Sequence, residues 1–183
     1  MTSLIGLTGH ARVGKSTAAR ILTEEHGFHE LALATPVKQL ARIIDPYIPY
    51  LESQYGEEGA KDFSLVRQTF QNVGHGAREV LGDQVWIDHL AAKLRHPAYT
   101  NRSVVVSDIR YDNEAEFIRE QGGVIVHVDR PGHQPANDHV TEQGVALDAD
   151  DYLLWNNNSI DGLRARINDI LFAITITQDR KTA

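Results

Sequence analysis

The segment Gly6-Leu7-Thr8-Gly9-His10-Ala11-Arg12-Val13-Gly14-Lys15-Ser16-Thr17 contains the pattern G-x-x-x-x-G-K-[ST], filled by Gly9, Gly14, Lys15 and Ser16. Each residue type answers a chemical need. The two glycines let the backbone turn, so that N–H groups from Gly9 through His10, Ala11, Arg12 and Val13 to Thr17 can face phosphate oxygens. Lys15 reaches the β- and γ-phosphates as a point charge, and the Ser16 hydroxyl can ligate Mg²⁺. The flanks agree with this reading. Leu4, Ile5 and Leu7 predict a short buried strand entering the loop. Ala18, Ile21 and Leu22, at i, i+3 and i+4, predict a helix leaving it at Lys15 and stopping at Gly27. The N-terminus of that helix then aims free N–H groups at the anion. A nucleoside triphosphate site is expected, with Lys15 facing solvent until phosphate arrives.

Composition narrows the function classes. A chain of 183 residues, 42% hydrophobic and 23% charged, is long enough to bury a core and reads as one soluble domain. A formal net charge of −7 argues against a general nucleic-acid binder, which carries a basic surface. The absence of cysteine excludes disulfides and thiolate metal sites, and suits a reducing compartment. With no signal-like N-terminal run and no long apolar stretch, a cytoplasmic protein without membrane contact is expected.

Beyond Gly27 a strand is predicted over Phe28 to Ala34, then a helix capped by Thr35, with Pro36 in its first turn and Val37, Leu40, Ala41 and Ile44 as its apolar face. Lys38 sits near that helix's N-terminus, where a cation is unfavourable unless an anion answers it. Asp45 to Asp62 reads as an irregular stretch, part of a moving flap or an unremarkable surface insertion, because Pro46 and Pro49 oppose a helix and Gly56 and Gly59 loosen it. From Ser64 to Leu81 the apolar row Val66, Phe70, Val73, Ala77 and Val80 marks one helical face. Beside it runs a polar row of Arg67, Gln71, Gly74 and Arg78. An arginine can fork onto phosphate and a glutamine can pair with a base edge. Because this row flanks the apolar one, truncating it should change stability by no more than about 1 kcal/mol.

Asp83 is a candidate cap for a helix through Trp86, Ile87, Leu90 and Leu94. The β-branched run Ser103-Val104-Val105-Val106-Ser107-Asp108 then predicts a central parallel strand, with Asp108 at the end where such sheets place ligands. Asp108 is the expected carboxylate for Mg²⁺, and Arg110 lies two residues on. A helix from Asp112 or Asn113 to Gly122-Gly123, a strand over Val124 to Val128, a polar lid over Gly132 to Asp148, a strand over Tyr152 to Trp155 and a final helix opened by Asn158 or Ser159 complete the chain. His139 and Glu142 at i, i+3 read as a hydrogen-bonded or capping pair rather than a metal site. Strands alternating with helices predict a three-layer α/β fold with a mostly parallel sheet of the P-loop NTPase kind.

Taken together, Gly9–Thr17, the row Gln71-x-x-Gly74-x-x-x-Arg78 followed by Asp83 and Trp86, Ser107-Asp108-Ile109-Arg110 with Asn113-Glu114, and His139-x-x-Glu142 resemble the phage-type deoxynucleoside monophosphate kinases. The resemblance spans roughly Ile5 to Leu171. It implies a single kinase domain over residues 1–183, with a five-stranded parallel core, a helical monophosphate-binding region near 35–100 and a lid near 130–148. It further implies transfer of the γ-phosphoryl of ATP to a deoxynucleoside monophosphate with Mg²⁺. ATP would sit on Gly9–Thr17, and Ser16 and Asp108 would hold the metal. Lys15, Asp108, Arg110 and Arg130 would be catalytic. Lys38, Arg67, Gln71, Arg78, Arg110 and Glu142 would meet the acceptor. Small molecules would be the partners, and the protein a monomer or homodimer. Two other readings share the loop: a kinase for another metabolite, of the shikimate or dephospho-coenzyme A type, and a nucleotide-dependent switch. Asn156-Asn157-Asn158 lacks the lysine of a guanine-reading Asn-Lys-x-Asp, which disfavours a GTPase switch.

Overall fold

The computed structural model describes residues 2–132, 145–157 and 159–182. They form two compact units: one from residues 1–31 with 95–183, the other Ala32–Leu94. The first holds β1 (Leu4–Thr8), α1 (Lys15–His26), β2 (His29–Leu31), β3 (Val104–Val106), α6 (Asp112–Glu120), β4 (Val124–Asp129), β5 (Tyr152–Trp155) and α7 (Ile160–Thr182). The second holds α2 (Ala34–Ile44), α3 (Tyr47–Ala60), α4 (Ser64–Leu81) and α5 (Val85–Leu94). No helix among the described residues is long and apolar enough to cross a membrane.

The sheet is five-stranded and parallel throughout, in the order β2-β3-β1-β4-β5. β3, Val104-Val105-Val106, is short, continuously apolar and fully buried, as a strand covered on both faces must be. Ile5, Leu7, Val126, Val128 and Leu154 pack with Ala18, Ile21 and Leu22 of α1 and Leu163, Ile167 and Ile174 of α7. The opposite face meets α6: a Cβ on Gly6 would lie within contact distance of Ile118, and would press first on Ile125 of β4 and then on Ile109. This gives the predicted three layers, α1 and α7 over the sheet and α6 beneath.

The order of the strands sets the carboxyl ends of β1 and β3 side by side. After β1 the chain crosses one face through α1; after β3 it crosses the other face through α6. Adjacent strands whose connections diverge leave a crevice beyond their carboxyl ends. The phosphate loop leaves β1 there, and Asp108 leaves β3.

The helical unit differs from expectation in instructive ways. Asp45 to Asp62 is not irregular: α3 occupies most of it. Pro46 precedes the helix and Pro49 lies in its first turn, where a missing N–H breaks no intrahelical bond. Gly56, at φ 74° and ψ 166°, leaves helical geometry and divides α3 into two helical segments at a kink. The kink turns Glu57 toward α2, where it pairs with Lys38 at 2.7 Å, while Arg42 forks onto Glu52 at 2.8 Å. Thr35 caps nothing; α2 begins one residue earlier with no side-chain cap. The strand predicted over Phe28 to Ala34 is confined to His29–Leu31. By contrast α4 spans Ser64–Leu81 as read, and the Ser159 hydroxyl accepts the Gly162 N–H at 3.0 Å to open α7.

Candidate functional site

The loop between β1 and α1 is built for an anion. Gly14 stands at the head of α1 in the left-handed region, φ 112°, with no side chain capping the helix and no acidic residue in its first turn. The helix's leading N–H groups are therefore left to whatever lies beyond it. Gly9 takes φ 131°, and a Cβ there would collide with the Val128 carbonyl. Arg12 is the one non-glycine loop residue in the left-handed region, φ 65°. Arg12, Gly14, Lys15, Ser16 and Thr17 line an open cleft of about 250 Å³.

Lys15 does not point into solvent as expected. It is half-buried and folds back on the loop, donating from Nζ to the carbonyls of Gly9 at 2.5 Å and His10 at 2.7 Å. An ammonium beside a curved run of backbone takes carbonyl acceptors when they are nearest, and exposure on the sequence pattern alone could not show that. Ser16 is exposed at the start of α1.

Asp108 lies at the adjacent strand end, half-buried. The pairing that places it runs past β3: Ser107 N–H donates to the Leu31 carbonyl at 3.1 Å and Ile109 N–H to the Leu7 carbonyl at 3.0 Å. Asp108 is thereby held between neighbours bonded to β2 and to β1. The next turn is fixed by Glu114, only 3% exposed, whose Oε2 accepts the N–H groups of Arg110 at 2.8 Å and Tyr111 at 3.2 Å. The Arg110 side chain stays exposed above this anchored backbone. Arg130 follows β4, also exposed, its N–H donating to Asp129 Oδ1 at 2.7 Å. Lys15, Ser16, Asp108, Arg110 and Arg130 thus all leave the carboxyl edge of one sheet, from β1, β3 and β4.

Of the residues expected to meet the acceptor, Lys38, Arg67, Gln71 and Arg78 fall on the helical unit, where most have protein partners. Lys38 is answered by Glu57, which accounts for a cation near a helix N-terminus. Hydrogen bonding from Lys38, with added charge from Lys61 and Arg42, holds the Glu57 carboxyl below its ordinary pKa despite partial burial. Arg67 is exposed, 3.3 Å from Asp62, and Gln71 is exposed. Arg78 is 9% exposed and donates from Nη1 to the Asp83 carbonyl at 2.9 Å. It does not flank a continuous apolar row, because Val80, assigned to that row, is 82% exposed. Burial passes from the valines to Arg78 where α5 folds back and Trp86 donates to the Gly74 carbonyl at 3.1 Å. A Cβ on Gly74 would meet Val37 at ordinary contact distance, so packing against α2 does not by itself demand glycine there. Glu142, with His133 and His139, lies outside the described residues, as does most of the expected lid.

Two contributors escaped the sequence reading. Glu114 was visible only as part of a motif, though an acid three residues into a helix is a recognisable capping signal. Asn156, considered only as a guanine reader, donates from Nδ2 to the Val13 carbonyl at 2.9 Å. No local pattern signals a contact between residues so far apart in sequence.

Among the described residues no group of three or more His, Asp or Glu side chains could hold a metal by itself. Ser16 and Asp108 offer one hydroxyl and one carboxylate, an all-oxygen pair of the kind that Mg²⁺ accepts when phosphates and water complete its shell.

The family model for deoxynucleotide monophosphate kinase matches residues 57–167. A protein of Acanthamoeba polyphaga mimivirus named "Putative deoxynucleotide monophosphate kinase" is 29% identical, over 90% of this chain and 93% of its own length. The deoxynucleotide monophosphate kinase of Escherichia phage RB69 is 34% identical, over 67% of this chain and 51% of its own. That of Enterobacteria phage T4 is 33% identical over 37% of this chain and 28% of its own. The phosphate loop, the Asp108 turn and the match across residues 57–167 lead to one assignment: the chain is a kinase and belongs to the deoxynucleotide monophosphate kinase family.

Proposed function

We propose that the protein transfers the γ-phosphoryl group of ATP to a deoxynucleoside monophosphate, with Mg²⁺, giving a deoxynucleoside diphosphate and ADP. The observation that carries the reading is the pairing of the Gly9–Thr17 loop with Asp108 on the next strand, at the crevice where α1 and α6 part. The triphosphate takes the loop's N–H groups, and Lys15 exchanges the Gly9 and His10 carbonyls for phosphate oxygens. Ser16 and Asp108 would hold Mg²⁺, which when bound would supply neutralisation of the phosphate charge. The acceptor phosphate is the nucleophile. Its second ionisation lies near pH 6, so at neutral pH an anionic oxygen is available and no general base is needed. The new O–P bond forms at the γ-phosphorus as the bond to the bridging β,γ-oxygen breaks, and the electron pair leaves on ADP. Arg110 and Arg130 offset the charge gathered there, so the chain's contribution is positioning and electrostatics.

On the helical unit, Arg67 and Gln71 carry the chemistry to recognise the acceptor, with Lys38 a further cation and Glu142 a further acceptor-side group. Arg78 supports them by holding the α4–α5 corner. A net charge of −7 fits an enzyme of small molecules acting as a monomer or homodimer, and freedom from cysteine fits the cytoplasm. The test is an ADP-release assay with the four deoxynucleoside monophosphates, their ribo counterparts, shikimate and dephospho-coenzyme A as acceptors. Turnover is expected with one or more of the deoxynucleotides. Turnover with a non-nucleotide acceptor alone, or ADP release independent of acceptor, would contradict the proposal.

A further inference from the structure

The last strand of the sheet reaches the phosphate loop through one side chain. Asn156 follows β5, and its backbone N–H donates to the Asp129 carbonyl at 2.7 Å, extending the β4–β5 pairing by a residue. That bond aims the side chain back at the loop, where Nδ2 donates to the Val13 carbonyl at 2.9 Å. A Cβ on Gly14 would collide with the same amide, so this contact as well as the positive φ requires glycine there. Val13 is itself 0% exposed, its side chain locked into the core with α1.

The consequence follows from peptide geometry. A trans peptide is planar, and its C=O and N–H point in opposite directions. An amide that captures the Val13 carbonyl therefore also sets the Gly14 N–H, which must point away from Asn156. Without that amide the Val13–Gly14 peptide could turn over. A carbonyl dipole would then meet the phosphates where an N–H should.

We propose that Asn156 is a positioning residue for the triphosphate. It fixes the Val13–Gly14 peptide so that the Gly14 N–H serves as a phosphate donor and the Val13 carbonyl is held off the anion. The proposal rests on the reading of Gly9–Thr17 as the ATP site. A merely structural staple between β5 and the loop would affect melting temperature and leave nucleotide affinity alone.

The experiment compares Asn156→Ala, Asn156→Ser and Asn156→Asp with the wild-type enzyme and with Lys15→Ala. Melting temperature, the equilibrium Kd for ATP with Mg²⁺, and the KM for the acceptor are measured on each folded protein. Removing one neutral hydrogen bond is expected to weaken ATP by about five- to tenfold in Asn156→Ala. Asn156→Ser, which keeps a short donor, should fall between that variant and the wild type. Asn156→Asp, which keeps the shape but turns an acceptor on the Val13 carbonyl, should bind ATP most weakly. The acceptor KM should not move in any of them. If Lys15→Ala loses ATP while the Asn156 variants bind it as the wild type does, the positioning role is overturned and the loop assignment survives. If Lys15→Ala binds ATP undiminished, the loop assignment fails and the role of Asn156 falls with it.

Discussion

At the scale of single residues, we propose that Lys15 and Asp108 divide the electrostatic work. Lys15 stands at the loop with its charge turned onto the carbonyls of Gly9 and His10, so its truncation removes little packing. Lys15→Ala should fold normally and lose about 10²- to 10³-fold in kcat, the scale for removing one preorganised charge-stabilising group. Thermal melts beside steady-state rates check this; near-wild-type turnover in a folded variant would contradict it. Asp108→Asn keeps the side chain's shape and removes its charge. It should lower kcat far more than it weakens ATP, and shift the Mg²⁺ dependence of the rate to higher concentration. A Mg²⁺ titration coincident with the wild type would make Asp108 a turn residue only. The loop was legible at this scale because its residues are contiguous and each type has a distinct job. The fold-back of Lys15 and the reach of Asn156 were not legible, since both depend on which backbone groups the tertiary structure brings near.

At the scale of elements, α4 separates what periodicity can read from what it cannot. Its ends were legible because Val66, Phe70 and Val73 keep a helical spacing, whereas the burial of Arg78 depends on α5 folding back over the last turns of α4. Arg78→Ala should therefore cost stability, about 1–3 kcal/mol for a buried charged donor and the carbonyl it leaves unpaired. Gln71→Ala, on an exposed position, should leave stability alone and alter the ranking of acceptor bases. Urea titrations and acceptor saturation curves of the two variants distinguish these outcomes; equal stability losses would contradict the burial argument. Gly76 offers the converse. A Cβ there meets nothing within 4 Å, so Gly76→Ala should stabilise the helix by up to about 1 kcal/mol and raise the melting temperature. The misreading of α3 has the same root in local chemistry. Pro46, Pro49, Gly56 and Gly59 weaken any helical signal, yet two of them sit where a helix tolerates proline, and one supplies a kink.

At the scale of the whole molecule, the sheet order was legible only as a class, since alternation of strands and helices predicts parallel pairing without fixing neighbours. The adjacency of β1 and β3 sets the phosphate loop beside Asp108 at their carboxyl ends. One feature distant in sequence joins several elements of this unit. Asp151, with its side chain 1% exposed, accepts from Arg119 at 2.6 Å, His127 at 2.9 Å and the Asp148 N–H at 2.9 Å, tying α6, β4 and the approach to β5. Burial alone would raise its pKa; the hydrogen bonds from Arg119, Asp148 and His127, with the Arg119 charge, outweigh it and hold the carboxyl below its ordinary value. A carboxyl depressed in the folded state contributes stability that is complete above its unfolded pKa, about 3.9, and is lost as pH falls from there through the folded value. Asp151→Asn should cost about 1.5–3 kcal/mol at neutral pH and flatten the loss of stability below about pH 4. Urea midpoints across that range would show parallel curves instead if Asp151 carried no such charge.

The central claim is that this sheet edge moves a phosphoryl group from ATP onto a deoxynucleoside monophosphate. Phosphorus NMR of a reaction containing enzyme, ATP, Mg²⁺ and one deoxynucleoside monophosphate at a time tests it directly. The account predicts paired growth of ADP and deoxynucleoside diphosphate signals with loss of the acceptor signal, absent with Lys15→Ala. ADP accompanied by inorganic phosphate, with the acceptor untouched, would contradict it.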